Sequence, residues 1–233
     1  MQTIPMNVDE NFRRLRDRVE TAARRAGHAV RLLAVSKTQP AAAVAALAAL
    51  GQTAFGENYV QEALAKRAEL AALLGRPDAL EWHAIGPLQS NKARDVARNF
   101  AWLHSLDRAK LVAPLARHRP AASGPLQVLV QVNIDDETSK AGCTPGEIAE
   151  LAEAIAAAPA LSLRGLMTIP APADLDRRRA AFRRMRELFE GLRANHPQAD
   201  TLSMGMSDDF ELAIAEGATL VRVGSALFGP RKP

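Results

Sequence analysis

Hydrophobic and polar positions follow two rhythms along the chain. Between residues 8 and 26, apolar side chains recur at helical spacing, which predicts an amphipathic helix ending at Gly27, a residue suited to a helix C-cap. After it, short β-prone apolar runs alternate with stretches rich in Ala, Leu, Glu and Arg. The predicted strands are residues 31–36, 53–56, 82–85, 102–105, 126–133, 162–167, 201–204 and 219–223. The predicted helices between them are residues 41–50, 58–74, 91–98, 108–118, 145–157, 175–194 and 208–216.

Strands joined by helical crossovers pair in parallel, so this alternation predicts an α/β fold. Eight strands are the number that closes a (β/α) barrel. An open doubly wound sheet is the alternative, but such sheets usually have about five or six strands, and no Gly-x-Gly-x-x-Gly pattern follows the first strand. No Pro-, Gly- or Ser-rich linker divides the chain. We therefore predict a single (β/α)8 TIM-type barrel domain over residues 1–233, with an extra N-terminal helix.

The composition is that of an ordinary globular protein, with 48% hydrophobic and 24% charged residues. The longest uncharged apolar run spans residues 41–50, well short of the ~20 residues that a membrane-spanning helix needs. The first residues lack the apolar stretch of a signal peptide, and the single cysteine, Cys143, allows no internal disulfide. These features predict a cytoplasmic protein without a membrane partner.

A net charge of +4 raises the question of a nucleic-acid partner. The densest basic stretch, residues 177–186, holds six arginines interleaved with an apolar stripe at helical spacing: Phe182, Met185, Phe189 and Leu192. This pattern is typical of a helix with a buried stripe and a solvated outer face. Because no RNA-binding aromatic motif or zinc-finger spacing accompanies it, the sequence disfavours nucleic acid. No histidine–carboxylate spacing indicates a metal site either.

Lys37 directly follows an apolar run and so lies at the carboxyl end of the first predicted strand, where TIM barrels hold their active sites. Partial desolvation at a barrel mouth favours the neutral amine, the form that attacks a carbonyl to give a Schiff base. A lysine that ends a strand and reaches into water is an equally good interpretation of the position. Position alone leaves both interpretations open.

The loops after the last two predicted strands have the composition of a phosphate site. Residues 203–209 and 223–225 place Ser207, Gly224 and Ser225 there. In TIM barrels these two loops, with the N–H groups of a helix N-terminus, form a recurrent phosphate site. An ordinary helix N-cap at Ser207 or Asp208 is the alternative. A phosphate site beside a lysine at the mouth indicates a phosphorylated carbonyl compound.

Six ordered segments carry a family resemblance: residues 33–38 (LAVSKT), 55–62 (FGENYVQE), 82–92 (WHAIGPLQSNK), 164–169 (RGLMTI), 203–209 (SMGMSDD) and 221–229 (VRVGSALFG). Together they resemble the pyridoxal-phosphate homeostasis proteins, the YggS/PROSC family, whose fold is similar to the N-terminal barrel of alanine racemase. The match runs from about residue 11 to residue 229. Six matches in the same order make the resemblance specific.

The resemblance implies a set of cofactor-binding residues. Lys37 would form the Schiff base with pyridoxal 5′-phosphate (PLP), and Arg222 would lie beside the pyridine nitrogen. Since an arginine does not give the ring a full proton, the cofactor stays a weaker electron sink. The remaining cofactor-binding residues are Ser207, Gly224 and Ser225 for the phosphate, with Asn58 and Met167 lining the cofactor. Lys140, Glu57 and His83 match family positions near the mouth and have no assigned role. Ser225 stands where many members have threonine and keeps the hydroxyl.

The resemblance further implies a cytoplasmic PLP carrier that regulates the cofactor pool and affects amino-acid and keto-acid balance. We expect a monomer with PLP-dependent apoenzymes as partners. The rival functions are a racemase-like PLP enzyme, a Schiff-base aldolase and a basic nucleic-acid binder. The racemases with this barrel supply a tyrosine acid from a second domain, whereas this sequence stops at Pro233 and has one tyrosine, Tyr59. We therefore predict a non-catalytic PLP-binding protein.

Overall fold

A closed barrel of parallel strands forms the centre of the fold. A computed structural model describes residues 8–75, 80–137 and 140–229. In these residues eight strands pair in sequence order, and β1 closes the barrel by pairing with both β2 and β8. The strands are β1 (Arg31–Val35), β2 (Ala54–Glu57), β3 (Glu81–Ala84), β4 (Trp102–Leu106), β5 (Leu126–Gln131), β6 (Leu161–Met167), β7 (Thr201–Ser203) and β8 (Leu220–Val223). The predicted (β/α)8 architecture is confirmed.

Helices surround the barrel, and the predicted N-terminal helix is among them. They are α1 (Val8–Ala26), α2 (Ala41–Ala49), α3 (Val60–Leu74), α4 (Ala93–Asn99), α5 (Val112–His118), α6 (Ile148–Ala156), α7 (Leu175–Asn195), α8 (Phe210–Ala215) and α9 (Ser225–Phe228). Helix α1 packs on α8 and α9, where the Asn11 side chain donates to the Leu227 carbonyl at 3.1 Å. It ends at Ala26, and the next residue, Gly27, has a φ of 76°, which suits the predicted C-cap. Across the described ranges, no helix combines the length and apolar character needed to span a bilayer.

Successive strand residues face opposite sides of the barrel wall. One set packs outward against the helices in a single large core, which includes Phe55 and Leu103. The inward apolar residues form two small clusters: Leu33, Ala54, Ile85 and Leu220 in one, and Trp102, Leu129 and Met167 in the other. The same alternation places buried polar residues inside the barrel, among them His83, His104, Ser203 and Arg222. The interior is therefore part apolar and part polar.

Two element boundaries differ from the sequence-based prediction in ways that matter for the site. Strand β5 stops at Gln131 rather than at residue 133, because Val132 makes only an isolated bridge with Cys143. Helix α8 starts at Phe210 rather than at residue 208, after Asp209 accepts a hydrogen bond from the Met206 N–H at 2.7 Å. Neither Ser207 nor Asp208 is therefore a helix N-cap, and both stay in the loop after β7.

The basic stretch on α7 has the predicted buried stripe, Phe182, Met185, Phe189 and Leu192. Its arginines meet acids on neighbouring elements. Arg178 lies 3.3 Å from Asp209, while Arg179 and Arg183 lie 3.7 and 3.4 Å from Glu216. These ion pairs link α7 to the two ends of α8, so acidic side chains of the same protein neutralise part of the positive charge.

Candidate functional site

A cavity of about 410 Å³ opens at the carboxyl ends of the strands, where the sequence predicts the site. Six of the seven predicted cofactor-binding residues line it: Lys37, Asn58, Ser207, Arg222, Gly224 and Ser225. A larger cavity of about 890 Å³ lies outside the barrel between α1 and α8, among charged side chains. We place the candidate site in the smaller cavity because residues at or after the carboxyl ends of seven strands line it, all but β4.

The backbone around Lys37 is held in an unusual conformation. Thr38, the next residue, has a φ of 64°, a left-handed conformation that β-branched residues rarely adopt. Its N–H donates to Glu62 Oε1 at 2.5 Å. Strained backbone persists only where the surroundings hold it. The hydrogen bond to Glu62, a residue of α3, thus holds the turn that follows Lys37.

A buried ion pair braces the residue on the other side of Lys37. Lys66 Nζ lies 2.5 Å from Glu57 Oε1 and donates to the Ser36 carbonyl at 2.7 Å. The Ser36 hydroxyl donates to the same Glu57 oxygen at 2.7 Å, and Glu62 lies 3.1 Å from Lys66. Burial raises the pKa of Glu57, and the neighbouring Lys66 opposes that rise. The pair connects β1, β2 and α3 directly behind Lys37.

Arg222, on β8, faces the cavity from inside the barrel and is only 4% exposed. Its Nη1 donates to Ser203 Oγ at 2.7 Å and its Nη2 donates to the Thr168 carbonyl at 2.8 Å. Burial lowers the pKa of Arg222 to about 10, which leaves it a cation at neutral pH. It can donate hydrogen bonds into the cavity but cannot accept them.

The two predicted phosphate loops meet at one side of the cavity. The Ala226 N–H donates to Ser207 Oγ at 3.4 Å, which joins the loop after β7 to the loop after β8. A Cβ on Gly224 would lie 3.1 Å from the Val35 carbonyl oxygen, so glycine lets this loop pack against the end of β1. The short helix α9 starts at Ser225, and the N–H groups of Leu227 and Phe228 donate to the Gly224 carbonyl.

Asn58 and Met167 take different places. Asn58 follows β2 and lines the cavity, and its backbone packs so closely on Gly86 that a Cβ there would lie 2.4 Å from the Asn58 oxygen. Met167 is 1% exposed, packs with Trp102 and Leu129 inside the barrel, and does not line this cavity. A cofactor contact by Met167 therefore stays a prediction.

Lys140 also lines the cavity, and its Nζ lies 3.4 Å from Glu137 and 3.7 Å from Asp135. Thr138 and Ser139, which belong to the same sequence motif, lie outside the described residues. Sequence analysis missed Gln131, whose side chain lines the cavity and donates to the Ala141 carbonyl at 2.9 Å. The available signal was a polar residue within the predicted strand 126–133, but Gln127 and Asn133 in the same strand give the same signal.

His83 lies deeper than expected. It matches a family position expected at the mouth, but it is fully buried in β3 and contacts His104 and Glu81. Glu57 is buried too, in the ion pair behind Lys37, and lines a neighbouring cavity of about 550 Å³. His83 is buried because of its position in the strand: neighbouring Trp82 faces outward, so the His83 side chain faces the barrel interior.

The polar groups of the cavity suit a small molecule that carries both a phosphate and a carbonyl group. The hydroxyls of Ser207 and Ser225 are donors for a phosphate beside the start of α9. Lys37 supplies a primary amine, and Arg222 supplies a fixed cation. The donor set therefore fits the cofactor that the sequence resemblance implies.

Comparison with known proteins gives consistent relatives. Residues 11–232 match the alanine racemase N-terminal domain. The pyridoxal phosphate homeostasis protein of Pseudomonas aeruginosa is 52% identical over 232 residues, which cover 99% of this chain and 97% of the relative. The protein of the same name from Escherichia coli is 49% identical over 229 residues, covering 97% of each.

Solved structures show the same similarity. PipY of Synechococcus elongatus, solved with PLP bound, is 37% identical and has a TM-score of 0.80, with 95% of this chain and 100% of PipY covered. The alanine racemase of Corynebacterium glutamicum is 21% identical with a TM-score of 0.66, and this chain covers 61% of it. The racemase comparison shows a shared fold alone.

Proposed function

We propose that this chain, which belongs to the family of pyridoxal phosphate homeostasis proteins, binds PLP in the cavity around Lys37 and helps to balance the cell's PLP supply. The family has the fold of the alanine racemase N-terminal domain. The main observation that supports this proposal is that Lys37, Arg222 and the two serine-bearing loops line one cavity. The PLP bound by PipY, a relative of 37% identity, supports the same ligand.

Each part of the cavity has a distinct task in this proposal. Bound PLP supplies an aldehyde that an amine can capture and a pyridine ring that withdraws electrons. Lys37 holds the aldehyde end, because it lines the cavity and the hydrogen bond from Thr38 to Glu62 fixes the adjoining backbone. Ser207 and Ser225 donate their hydroxyls to the phosphate, in the two loops that meet at the start of α9. Arg222 donates toward the ring without giving up its proton.

The phosphate contacts lead to a test of the proposal. We expect Ser207→Ala combined with Ser225→Ala to weaken PLP binding about tenfold or more, because each hydrogen bond to a charged group contributes about 1.5–3 kcal/mol. Pyridoxal, which has no phosphate, should bind the double variant as it binds the unmodified protein. Titration of the purified protein with each ligand, followed by visible absorption, gives both dissociation constants.

The matched control is Ser90→Ala combined with Ser123→Ala, two exposed serines outside the cavity. It should leave both constants unchanged. Equal losses for PLP and pyridoxal in the Ser207 and Ser225 double variant would place the phosphate elsewhere. If the unmodified protein gives no saturable visible band with PLP, the proposed function itself is wrong.

We further propose that the protein is a carrier and not a racemase, in keeping with the names of its relatives. Racemisation by two bases needs an acid on the face of the substrate opposite the lysine. The single tyrosine, Tyr59, is 64% exposed and lines the neighbouring cavity instead of the candidate site. PLP-loaded protein incubated with L-alanine in deuterated water should therefore form no more D-alanine than its own molar amount. Sustained turnover that disappears in Lys37→Ala would overturn the carrier role.

PLP-dependent apoenzymes are the proposed recipients of the cofactor. The rim of the cavity includes two part-exposed apolar side chains, Ile169 and Met206, which a recipient could cover. The monomeric state and the cytoplasmic location stay predictions.

A further inference from the structure

A line of hydrogen-bonded side chains crosses the barrel interior, from the cavity at one end of the barrel to the opposite end of the barrel. From Arg222, the line passes to Ser203 Oγ at 2.7 Å, and Ser203 Oγ lies 3.2 Å from His104 Nδ1. His104 Nε2 lies 2.8 Å from His83 Nδ1, and His83 Nε2 lies 2.8 Å from Glu81 Oε1. The residues come from β8, β7, β4 and β3. PLP binding as proposed above uses only the first of them.

The chemistry of the groups gives this line one direction. Arg222 can only donate, so the Ser203 oxygen accepts from it, and the Ser203 hydroxyl hydrogen is available to His104 Nδ1. At the other end, a carboxylate can only accept, so His83 Nε2 carries a hydrogen. With neutral rings, His83 Nδ1 must then accept from His104 Nε2–H. The reverse tautomers would set the His83 nitrogen lone pair against the Glu81 carboxylate.

The surroundings keep both rings neutral. His83 and His104 are fully buried, and burial lowers the pKa of each imidazole, with Arg31 acting in the same direction. Arg222 also lowers the pKa of His104, whereas Glu81 opposes the shift at His83. The hydrogen bond from His83 lowers the pKa of Glu81 to about 2, so that carboxylate stays ionised. One neutral chain thus connects a cation to an anion.

The far end of the line is open to solvent. Glu81 is the first residue of β3, its side chain is 36% exposed, and it pairs with Arg31 at 2.5 Å. Arg31 is the first residue of β1, so both lie at the amino ends of the strands. Trp102 stacks on His83 with ring centroids 5.3 Å apart and closes the side of the line.

We propose that Ser203, His104 and His83 are positioning residues that couple Glu81, at the amino end of the barrel, to the guanidinium of Arg222 in the cavity. Hydrogen bonds in a chain of one direction polarise each other, so the negative charge of Glu81 strengthens each link up to Arg222. The orientation and polarity of Arg222 then depend on a group at the opposite barrel end. Its effect on bound PLP rests on the proposed function, whereas the line itself does not.

The first test uses the protein without PLP. Long-range ¹H–¹⁵N correlation spectra of the histidine side chains report which ring nitrogen carries the hydrogen. We expect His83 and His104 both to be neutral with the hydrogen on Nε2, and to stay so between about pH 6 and 8. Either ring with its hydrogen on Nδ1, or doubly protonated, overturns the proposal whether or not PLP binds.

The second test measures coupling in the PLP-loaded protein. Glu81→Gln removes the charge and keeps an acceptor, and we expect it to change the PLP dissociation rate about two- to tenfold, the range of one ordinary hydrogen bond. Ser203→Ala breaks the line, so Glu81→Gln should change the rate less than twofold in that background. Equal effects of Glu81→Gln in both backgrounds overturn the coupling.

A matched control is available in a second histidine–glutamate pair. Glu153 lies 3.4 Å from His196 Nε2 on the outside of the barrel, between α6 and α7. Glu153→Gln should leave the dissociation rate and the spectra of His83 and His104 unchanged. A change as large as that of Glu81→Gln would attribute the effect to lost surface charge and overturn the proposal.

Discussion

Replacing Lys37 with alanine is expected to remove all covalent capture of PLP. Of the residues on the cavity wall, Lys37 is the one that the braced turn at Thr38 fixes at the end of β1. Borohydride traps a lysine-bound aldehyde as a stable amine, so the intact mass of the unmodified protein should rise by one cofactor. The Lys37→Ala variant should show no rise, and its circular dichroism should be unchanged, because Lys37 follows the strand instead of filling the core.

Lys140→Ala is the matched control, since Lys140 is a second amine on the same cavity wall. This variant should still gain one cofactor after borohydride treatment, and peptide mapping should locate it on Lys37. Mapping of the unmodified protein to Lys140 or Lys92 would show that the assignment of Lys37 is wrong. Noncovalent retention of PLP by Lys37→Ala is expected to persist, because the serine loops and Arg222 are untouched.

The largest loss of stability is expected from Lys66→Met. This change keeps the apolar stem and removes the cation that faces Glu57, a carboxylate with no exposed side-chain surface. Leaving one partner of a buried ion pair without its counter-charge costs about 3–5 kcal/mol of unfolding free energy. Urea denaturation should show this loss, while Lys110→Met, at an exposed lysine, should stay within about 0.5 kcal/mol of the unmodified protein.

The loss in Lys66→Met should depend on pH. Burial raises the folded-state pKa of Glu57, and the variant lacks the charge that opposes this. A carboxyl whose pKa is raised on folding binds its proton more tightly in the folded protein, so the destabilisation is complete above the folded-state pKa. It fades as the pH falls toward the unfolded value of about 4.3. The stability difference should therefore be smaller at about pH 5.5 than at about pH 7.5.

The double variant Glu57→Gln with Lys66→Met separates charge from packing. Removing both charges avoids the uncompensated carboxylate, so the double variant should recover most of the loss at neutral pH. Full additivity of the two single losses would show that the pair acts through packing and not through charge.

The barrel could be predicted because the sequence pattern of each strand and helix lies within that element itself. Strand and helix periods are readable from apolar spacing, and eight repeats of the unit leave few topologies. Boundaries were less predictable, because they depend on contacts distant in sequence. Strand β5 stops where the chain turns to bridge Cys143, and α8 starts two residues late because the Asp209 side chain accepts from the Met206 N–H in the preceding turn. Local propensity does not report either contact.

The site could be predicted where a single residue type carries the chemistry. Lys37 follows the first predicted strand directly, the serines lie in the loops after the last two strands, and the structure gathers them in one cavity. The bracing residues were not predictable in the same way. Lys66 occupies a helix position that looks like an ordinary solvated lysine, and only the fold turns it inward to Glu57. The depth of His83 likewise depends on the strand register, which one residue of slip would invert.

The polar line inside the barrel also bears on how the chain assembles. Its members come from the third, fourth, seventh and eighth strands, and a shift of one residue in the third, seventh or eighth would exchange a polar side chain for an apolar neighbour. Arg222 finds its acceptors on Ser203 and Thr168 only after β7 and the end of β6 are in place. A partly closed barrel would hold a guanidinium without partners, which is costly in a buried site. A barrel closed out of register would therefore lack the partners of Arg222 and, with them, one wall of the cavity.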